Sequence, residues 1–228
     1  MTLFNDFLSL IYPRHCAACS NVLIEQEKFI CLSCENALPR GHHDITGGKA
    51  VHEVLAARVP LIHAHYLFNF EKSGKIQNLI HAIKYNGQKE LATYLGEILG
   101  KEFLKNKVSF DLIVPIPLHP KKIKKRGFNQ SAHFGNGIAK TMGNTMMLDN
   151  LIRAIETPTQ TKKKKYQRWE NVEGIFQLQD FASMQHKHVL LVDDVVTTGA
   201  TIEAAWQALK EVEGIQISVA AIAFAKKA

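Results

Sequence analysis

Four cysteines and one run of thirteen residues carry the side chains best suited to chemistry. Cys16, Cys19, Cys31 and Cys34 form two C-x2-C pairs separated by eleven residues, and no other cysteine occurs. Each pair lets one tight turn aim two sulfurs at a common point. Two such turns complete a tetrahedral sulfur shell of the kind that holds structural zinc. The spacer is shorter than the ~15–20 residues usual for that pattern, but it suits a tight ribbon. Two other readings stay open: a pair of disulfides, which a reducing compartment disfavours, and a redox C-x-x-C, which needs only one pair placed before a helix. A closed four-sulfur shell leaves no position for water, so an ion there would fold the segment and not catalyse. His15, beside Cys16, is an alternative ligand that four thiolates make unnecessary.

The thirteen-residue run is VLLVDDVVTTGAT, Val189 to Thr201. Its four leading apolar residues predict a buried strand, with Asp193 and Asp194 at the carboxyl end, where open α/β sheets bind ligands. Thr197, Thr198, Gly199, Ala200 and Thr201 then open a helix. Small residues let backbone N–H groups point inward, hydroxyls add donors, and a helix N-terminus adds partial positive charge, which together make a phosphate cradle. Two carboxylates beside such a cradle suit the vicinal hydroxyls of a ribose with Mg²⁺ nearby, so the run predicts a site for a ribose 5-phosphate. Neither G-x-x-x-x-G-K nor G-x-G-x-x-G occurs in it.

Charge adds a second pointer. The 228 residues carry 28 Lys and Arg against 21 Asp and Glu, a net +7. Eleven of those bases lie in two stretches without an acid. Leu112–Leu148 holds Lys121, Lys122, Lys124, Lys125, Arg126 and Lys140; Thr157–Trp169 holds Lys162, Lys163, Lys164, Lys165 and Arg168. The rest of the chain has 17 bases against 21 acids, so the basicity is local. Local positive charge fits a polyanion, either the phosphates of a small molecule or a nucleic acid; a solvated lysine loop is the alternative. No apolar run approaches the ~20 residues of a membrane-spanning helix. The N-terminus has Asp6 where a signal peptide has a base, so a cytoplasmic protein without membrane insertion is expected.

These groups need a scaffold. Residues 61–70 alternate and are aromatic-rich, predicting a strand. Ile76, Leu79, Ile80 and Ile83 form one helical stripe, and Leu91, Leu95, Ile98, Leu99 and Phe103 a second. A strand over Asp111–Pro117, a basic loop, a helix over Asn129–Met142 with Asn129 as its cap, and strands over Leu151–Ile155 and Gly174–Leu178 follow. The strand of the thirteen-residue run, a helix from Thr201 to about Val212 and a strand over Ile215–Phe224 complete the chain. Strands alternating with helices predict an α/β fold, a parallel sheet covered on both faces.

VLLVDDVVTTGAT resembles the 5-phosphoribosyl 1-pyrophosphate (PRPP) motif of type I phosphoribosyltransferases. The order of cysteine pairs, IHAIKYNG (80–87), VPIPLHPKKIKKRGFNQ (114–130), TPTQ (157–160), RWENVEGIF (168–176) and this motif is similar, over nearly the whole chain, to the ComF competence family, with which GntX-like proteins share it. The resemblance implies a type I phosphoribosyltransferase-like parallel sheet flanked by helices, preceded by a small zinc ribbon. It implies that Asp193 and Asp194 hold the ribose hydroxyls, that Thr197 to Thr201 hold the 5-phosphate, and that Pro117, Leu118 and His119 form the pyrophosphate turn. The ComF pattern favours Lys84 as a phosphate ligand, a snorkelling lysine at a helix end being the alternative, and Arg126 is a candidate because a guanidinium binds phosphate oxygens bidentately. Thr161–Trp169 matches the flexible loop that closes over PRPP. The acid-free charge of the two stretches makes Lys162, Lys163, Lys164, Lys165 and Arg168, with Lys124 and Lys125, candidates for contact with phosphates or nucleic acid.

The expected division is a zinc-ribbon domain over 1–58 and a phosphoribosyltransferase-like domain over 59–228, with a hood segment at 59–106 and a core at 107–228. The function expected from the resemblance is PRPP binding in DNA uptake or nucleotide use, with single-stranded DNA and competence-machinery proteins as partners, structural Zn²⁺, and Mg²⁺ with PRPP. A metabolic phosphoribosyltransferase that transfers ribose 5-phosphate to a base, with no DNA role, is the alternative. Tyr166 and Trp169 are candidates for stacking on bases.

Overall fold

The apolar runs that lack alternation become central strands because both of their faces are covered. In the computed structural model, which describes residues 12–41, 54–55, 57–72, 74–153 and 174–225, strand β1 (Leu61–Asn69) is followed by helices α2 (Lys75–Tyr85) and α3 (Lys89–Lys105); a short helix α1 (Leu32–Ala37) precedes it. Strand β2 (Leu112–Pro115), helices α4 (Pro120–Arg126) and α5 (Gln130–Met142) and strands β3 (Thr145–Met146), β4 (Leu151–Arg153) and β5 (Phe176–Leu178) come next. Strand β6 (His188–Val196), helix α6 (Ala200–Leu209) and strand β7 (Gln216–Phe224) end the described chain.

Five strands form one parallel sheet in the order β1-β7-β6-β2-β3. On one face Leu190, Val192, Ala220 and Ile222 meet α2, α3 and α5. On the other Val189, Leu191, Val219 and Ala221 meet α6 and the residues around β4 and β5. Helices α3 and α5 cross so closely that a Cβ on Gly96 or Gly137 would collide with the carbonyl oxygens of Phe134 or Thr93. That contact carries α5, and with it Asn129 to Ser131, to the carboxyl edge of β6.

Three expectations change in detail. The stretch 174–178 joins no parallel sheet: β5 pairs antiparallel with β4 in a separate two-stranded sheet. The basic stretch expected as a loop contains α4. His119 caps it by accepting from the Lys121 N–H at 3.2 Å, Pro120 sits in its first turn, and Gly127 closes it at φ 82°. No α4 residue is buried, so there was no apolar stripe to reveal it. Strand β6 runs on through both acids to Val196 instead of ending before them.

The cysteine segment packs into the main core. Cys16, Ala18, Cys31, Cys34 and Leu38 share one apolar cluster with Phe68, Ile76 and Leu79. Beyond it the chain pairs with β1, Arg40 bridging Phe68. The Asn78 amide donates to the Ala18 carbonyl at 2.9 Å, which ties the first knuckle to α2.

Candidate functional site

The carboxyl edge of β6 gathers the acids, three other elements and the helix-opening loop. Asp193 Oδ1 accepts from the Ser131 hydroxyl at 3.1 Å and from the Asp194 N–H at 2.8 Å. Burial, reinforced by the neighbouring Asp194 charge, pushes the Asp193 carboxyl up to about 7. Asp194, 8% exposed, holds Lys84 Nζ at 2.9 Å across from α2. The two carboxylates therefore differ in their partners: Asp193 is held by a hydroxyl and a backbone N–H, while the more buried Asp194 is paired with an ammonium.

Sequence brings Asn129 and Arg126 here through one turn. Asn129 caps α5 by accepting from the Ser131 N–H at 3.0 Å, as expected, and its amide donates to the Ile116 carbonyl at 3.0 Å. It thus fixes the α5 terminus against the turn of Pro117, Leu118 and His119. Arg126 Nη1 donates to buried Gln130 Oε1 at 2.9 Å, and its guanidinium lies 5.6 Å from the Tyr85 ring centre. The His119 ring is committed to capping α4. Lys124 and Lys125 are exposed on α4.

Thr197, Thr198, Ala200 and Thr201 are exposed while Gly199 between them is buried. Gly199 adopts φ 76°, a left-handed conformation that glycine takes without strain. A Cβ there would collide with Leu55. Beside Leu55, Arg58 makes three contacts: Nη2 donates to the Thr198 carbonyl at 2.6 Å and to the Val54 carbonyl at 2.7 Å, and Nη1 meets Glu203 Oε2 at 2.6 Å. The first turn of α6 keeps N–H groups that no helical carbonyl can satisfy, so the loop is shaped to receive an anion. A cavity of about 620 Å³ opens alongside, lined by Phe70, Gln77, Lys84, Tyr85, Val195 and Thr197 among others.

The structure thus brings Lys84, Asp193, Asp194 and Ser131 into one contact network, with Arg126 joined to it through α5. Lys162, Lys163, Lys164, Lys165, Arg168, Tyr166 and Trp169 lie outside the described residues. Sequence reasoning missed Ser131, Tyr85, Leu55 and Arg58. Ser131 directly follows the RGFNQ run, and that adjacency was the available signal. Nothing local in the sequence marks Arg58.

The four cysteines form the second centre. All are free thiols, and their sulfurs lie within 4.8 Å of one another. Cys19 and Cys31 Sγ are 3.7 Å apart, close to the ~3.8 Å edge of a tetrahedron built on a Zn–S bond of about 2.3 Å. Burial raises the Cys16 thiol, but N–H groups of Cys31, Cys19 and Ala18 outweigh it and bring it down to about 7. Burial and the neighbouring thiols push Cys34 up to about 12. A sulfur that accepts backbone N–H groups, as Cys16 does from Cys31 at 3.3 Å, is arranged for a thiolate. The donor set fits a closed tetrahedral zinc shell. His15 is not turned to it: its Nδ1 contacts the Ser20 carbonyl at 2.9 Å.

Residues 130–228 match the family model for the phosphoribosyl transferase domain. A "DNA utilization protein YhgH" of Salmonella typhi is 28% identical over 200 residues, 86% of this chain and 83% of the relative. The "Competence protein ComFC" of Bacillus subtilis is 27% identical over 204 residues, 83% of this chain and 81% of that protein. Among solved structures, an allosteric regulatory enzyme of purine biosynthesis aligns at TM-score 0.40 and 20% identity, over 56% of this chain and 25% of its own. The family model and the parallel sheet bear out the phosphoribosyltransferase-like fold, and the relatives bear out the resemblance to competence proteins. Among the described residues no helix is long and apolar enough to cross a membrane.

Proposed function

We propose that this protein binds a phosphoribosyl pyrophosphate-type ligand at the carboxyl edge of β6 and acts in the handling of DNA. The observation that carries the first half is the acid pair at that edge, held by Ser131 and Lys84 beside the loop Thr197–Thr201. In this reading the loop binds the 5-phosphate, and Asp193 and Asp194 receive the ribose hydroxyls. The turn of Pro117, Leu118 and His119, with Arg126, faces the pyrophosphate. Lys84 leaves Asp194 to follow the incoming phosphates, so that ligand binding exchanges one ion pair for another. Mg²⁺ would neutralise pyrophosphate oxygens there, with Asp193 and Asp194 as the nearby carboxylates. Were transfer to occur, a nitrogen nucleophile would bond to the ribose C1 as the C1–O bond to pyrophosphate breaks, and pyrophosphate would leave with the electron pair.

The DNA half is supported by the names of the relatives, "DNA utilization protein" and "Competence protein ComFC", and by the two acid-free basic stretches. We assign structural Zn²⁺ to Cys16, Cys19, Cys31 and Cys34, where it would cross-link the two knuckles. The same reading divides the chain near residue 58, and Leu55 and Arg58 fasten the join to the phosphate loop.

Fluorescence anisotropy with labelled single-stranded DNA across a salt series tests this function. Binding should weaken as salt rises, each lysine on a phosphate contributing about 0.7 to the log–log slope. Replacing Lys162, Lys163, Lys164 and Lys165 with Ala should lower that slope by up to ~3, and PRPP with Mg²⁺ should compete. No binding at low salt, or binding that neither PRPP nor the four replacements alter, would overturn the DNA reading.

A further inference from the structure

Helix α2 presents a second feature beside the phosphoribosyl site, which shares Arg126 and Lys84 with it. From Lys72 to Lys89 the chain has no acid, and it carries Lys72, Lys75, Lys84 and Lys89. On the exposed side of α2 the rings of His81 and Tyr85 touch, 4.7 Å between centres and tilted by 45°. The Arg126 guanidinium covers the Tyr85 ring at 5.6 Å. Arg126, Tyr85 and His81 thus form a contiguous row that begins at the basic helix α4 and crosses α2. Tyr85 is 58% exposed, although a phenol ring gains more by burial.

A cavity opens on each side of His81. One, of about 620 Å³, contains Gln77, Lys84 and Phe70 and reaches the Thr197 end of the phosphate loop. The other, of about 320 Å³, contains Asn86, Gln88 and Ser20 and reaches the first cysteine knuckle. Planar rings for stacking, amides that both donate and accept, and ammonium groups on and beside an acid-free helix, Lys84 among them on Asp194, suit one kind of ligand. They suit an unpaired strand of nucleic acid, whose bases have π-faces and amide-like edges and whose backbone is anionic. A duplex buries the faces this row would contact, and an acidic peptide would leave the rings without partners.

We infer that the Arg126–Tyr85–His81 row is the base-contacting platform for single-stranded DNA, and that the strand crosses α2 from α4 toward the cysteine knuckle. This rests on the DNA reading above. It places base contact on α2, with the basic stretches contributing phosphate contacts. Stacking does not depend on counterion release, so it adds affinity without adding salt dependence.

The test compares wild type with His81→Ala/Tyr85→Ala on a labelled oligothymidine and on an abasic strand of equal length. Both side chains are exposed, so the variant should keep its melting temperature. The variant should bind oligothymidine about tenfold more weakly or worse, with an unchanged salt slope, and should match wild type on the abasic strand. Tyr85→Phe, which retains the ring, should bind as wild type does. Equal binding of oligothymidine by wild type and the double variant, or an equal loss on the abasic strand, would overturn the inference and leave the DNA reading standing. Failure of wild type to bind either strand at low salt would overturn both.

Discussion

The cysteine knuckles turn four sulfurs inward on one another, whereas the edge of β6 turns two carboxylates toward groups on other elements. The sulfurs come from residues at most eighteen apart, Cys16 to Cys34, and they sit in the same apolar cluster as β1 and α2. The acids depend on Ser131 and Lys84, delivered by α5 and α2 from far along the chain. In the proposed reading the first centre is a closed structural joint. The second is an open site whose ionic contacts rearrange when a ligand arrives, and one of its carboxyls is held far above its ordinary range. Burying an acid is unfavourable for folding, so the contrast predicts that damage to the joint unfolds the protein while damage to the site can stabilise it.

The largest effect should follow loss of the sulfur shell. Cys16→Ser with Cys31→Ser, or treatment with a strong chelator, should lower the melting temperature of the whole chain by ~10 °C or more, since the metal site contributes folding free energy directly. A single transition seen by both near- and far-ultraviolet dichroism is expected because the ribbon shares the main core. A separate early transition that leaves the sheet unchanged would show the joint to be independent. Metal analysis of protein prepared without chelator should give about one zinc per chain.

Asp193→Asn should act in the opposite direction. Asp193 has a folded-state pKa of about 7, raised by burial and by Asp194. Its stabilising influence is complete below the ordinary carboxyl range near 4 and is lost as pH rises through about 7. Asparagine cannot ionise, so without ligand the variant should melt several degrees above wild type at pH 8 and close to it at pH 5. A parallel pH dependence for the two proteins would mean that Asp193 is ionised throughout. His188, at the other end of β6, provides an internal contrast: burial holds its pKa below the ordinary value, so its contribution is lost as pH falls below about 6.5.

A smaller effect is expected at the seam between the two regions. Arg58→Ala removes contacts to Thr198, Val54 and Glu203. It should lower the melting temperature by about 2–4 °C, the equivalent of roughly 1 kcal/mol, and weaken PRPP binding several-fold by loosening the loop. Arg58→Lys should recover stability better than affinity, because one ammonium cannot span two carbonyls and a carboxylate as the guanidinium fork does. Equal loss of both in the two variants would assign Arg58 a purely structural role.

How much of this was readable in advance follows the same contrast. The cysteine pairs and the run Val189–Thr201 each lie within a short stretch of chain, so residue type and order sufficed to nominate them. Asn129 was readable as a cap because capping is local. Ser131 reaches an acid 62 positions away and Arg58 a carbonyl 140 positions away; only the crossing of α3 and α5 and the return of the chain past β1 bring such pairs together. Helix α4 was hidden because it buries nothing, and the β4–β5 pair because three-residue strands carry almost no periodicity.

The central claim, a phosphoribosyl site at the edge of β6, is tested most directly by calorimetric titration of PRPP with Mg²⁺ into wild type and into Asp193→Asn/Asp194→Asn. Zinc content and melting temperature confirm that both proteins are folded. The account predicts saturable binding to wild type and none to the variant, which keeps its sulfur shell and its sheet. Equal affinity in the two proteins would contradict it.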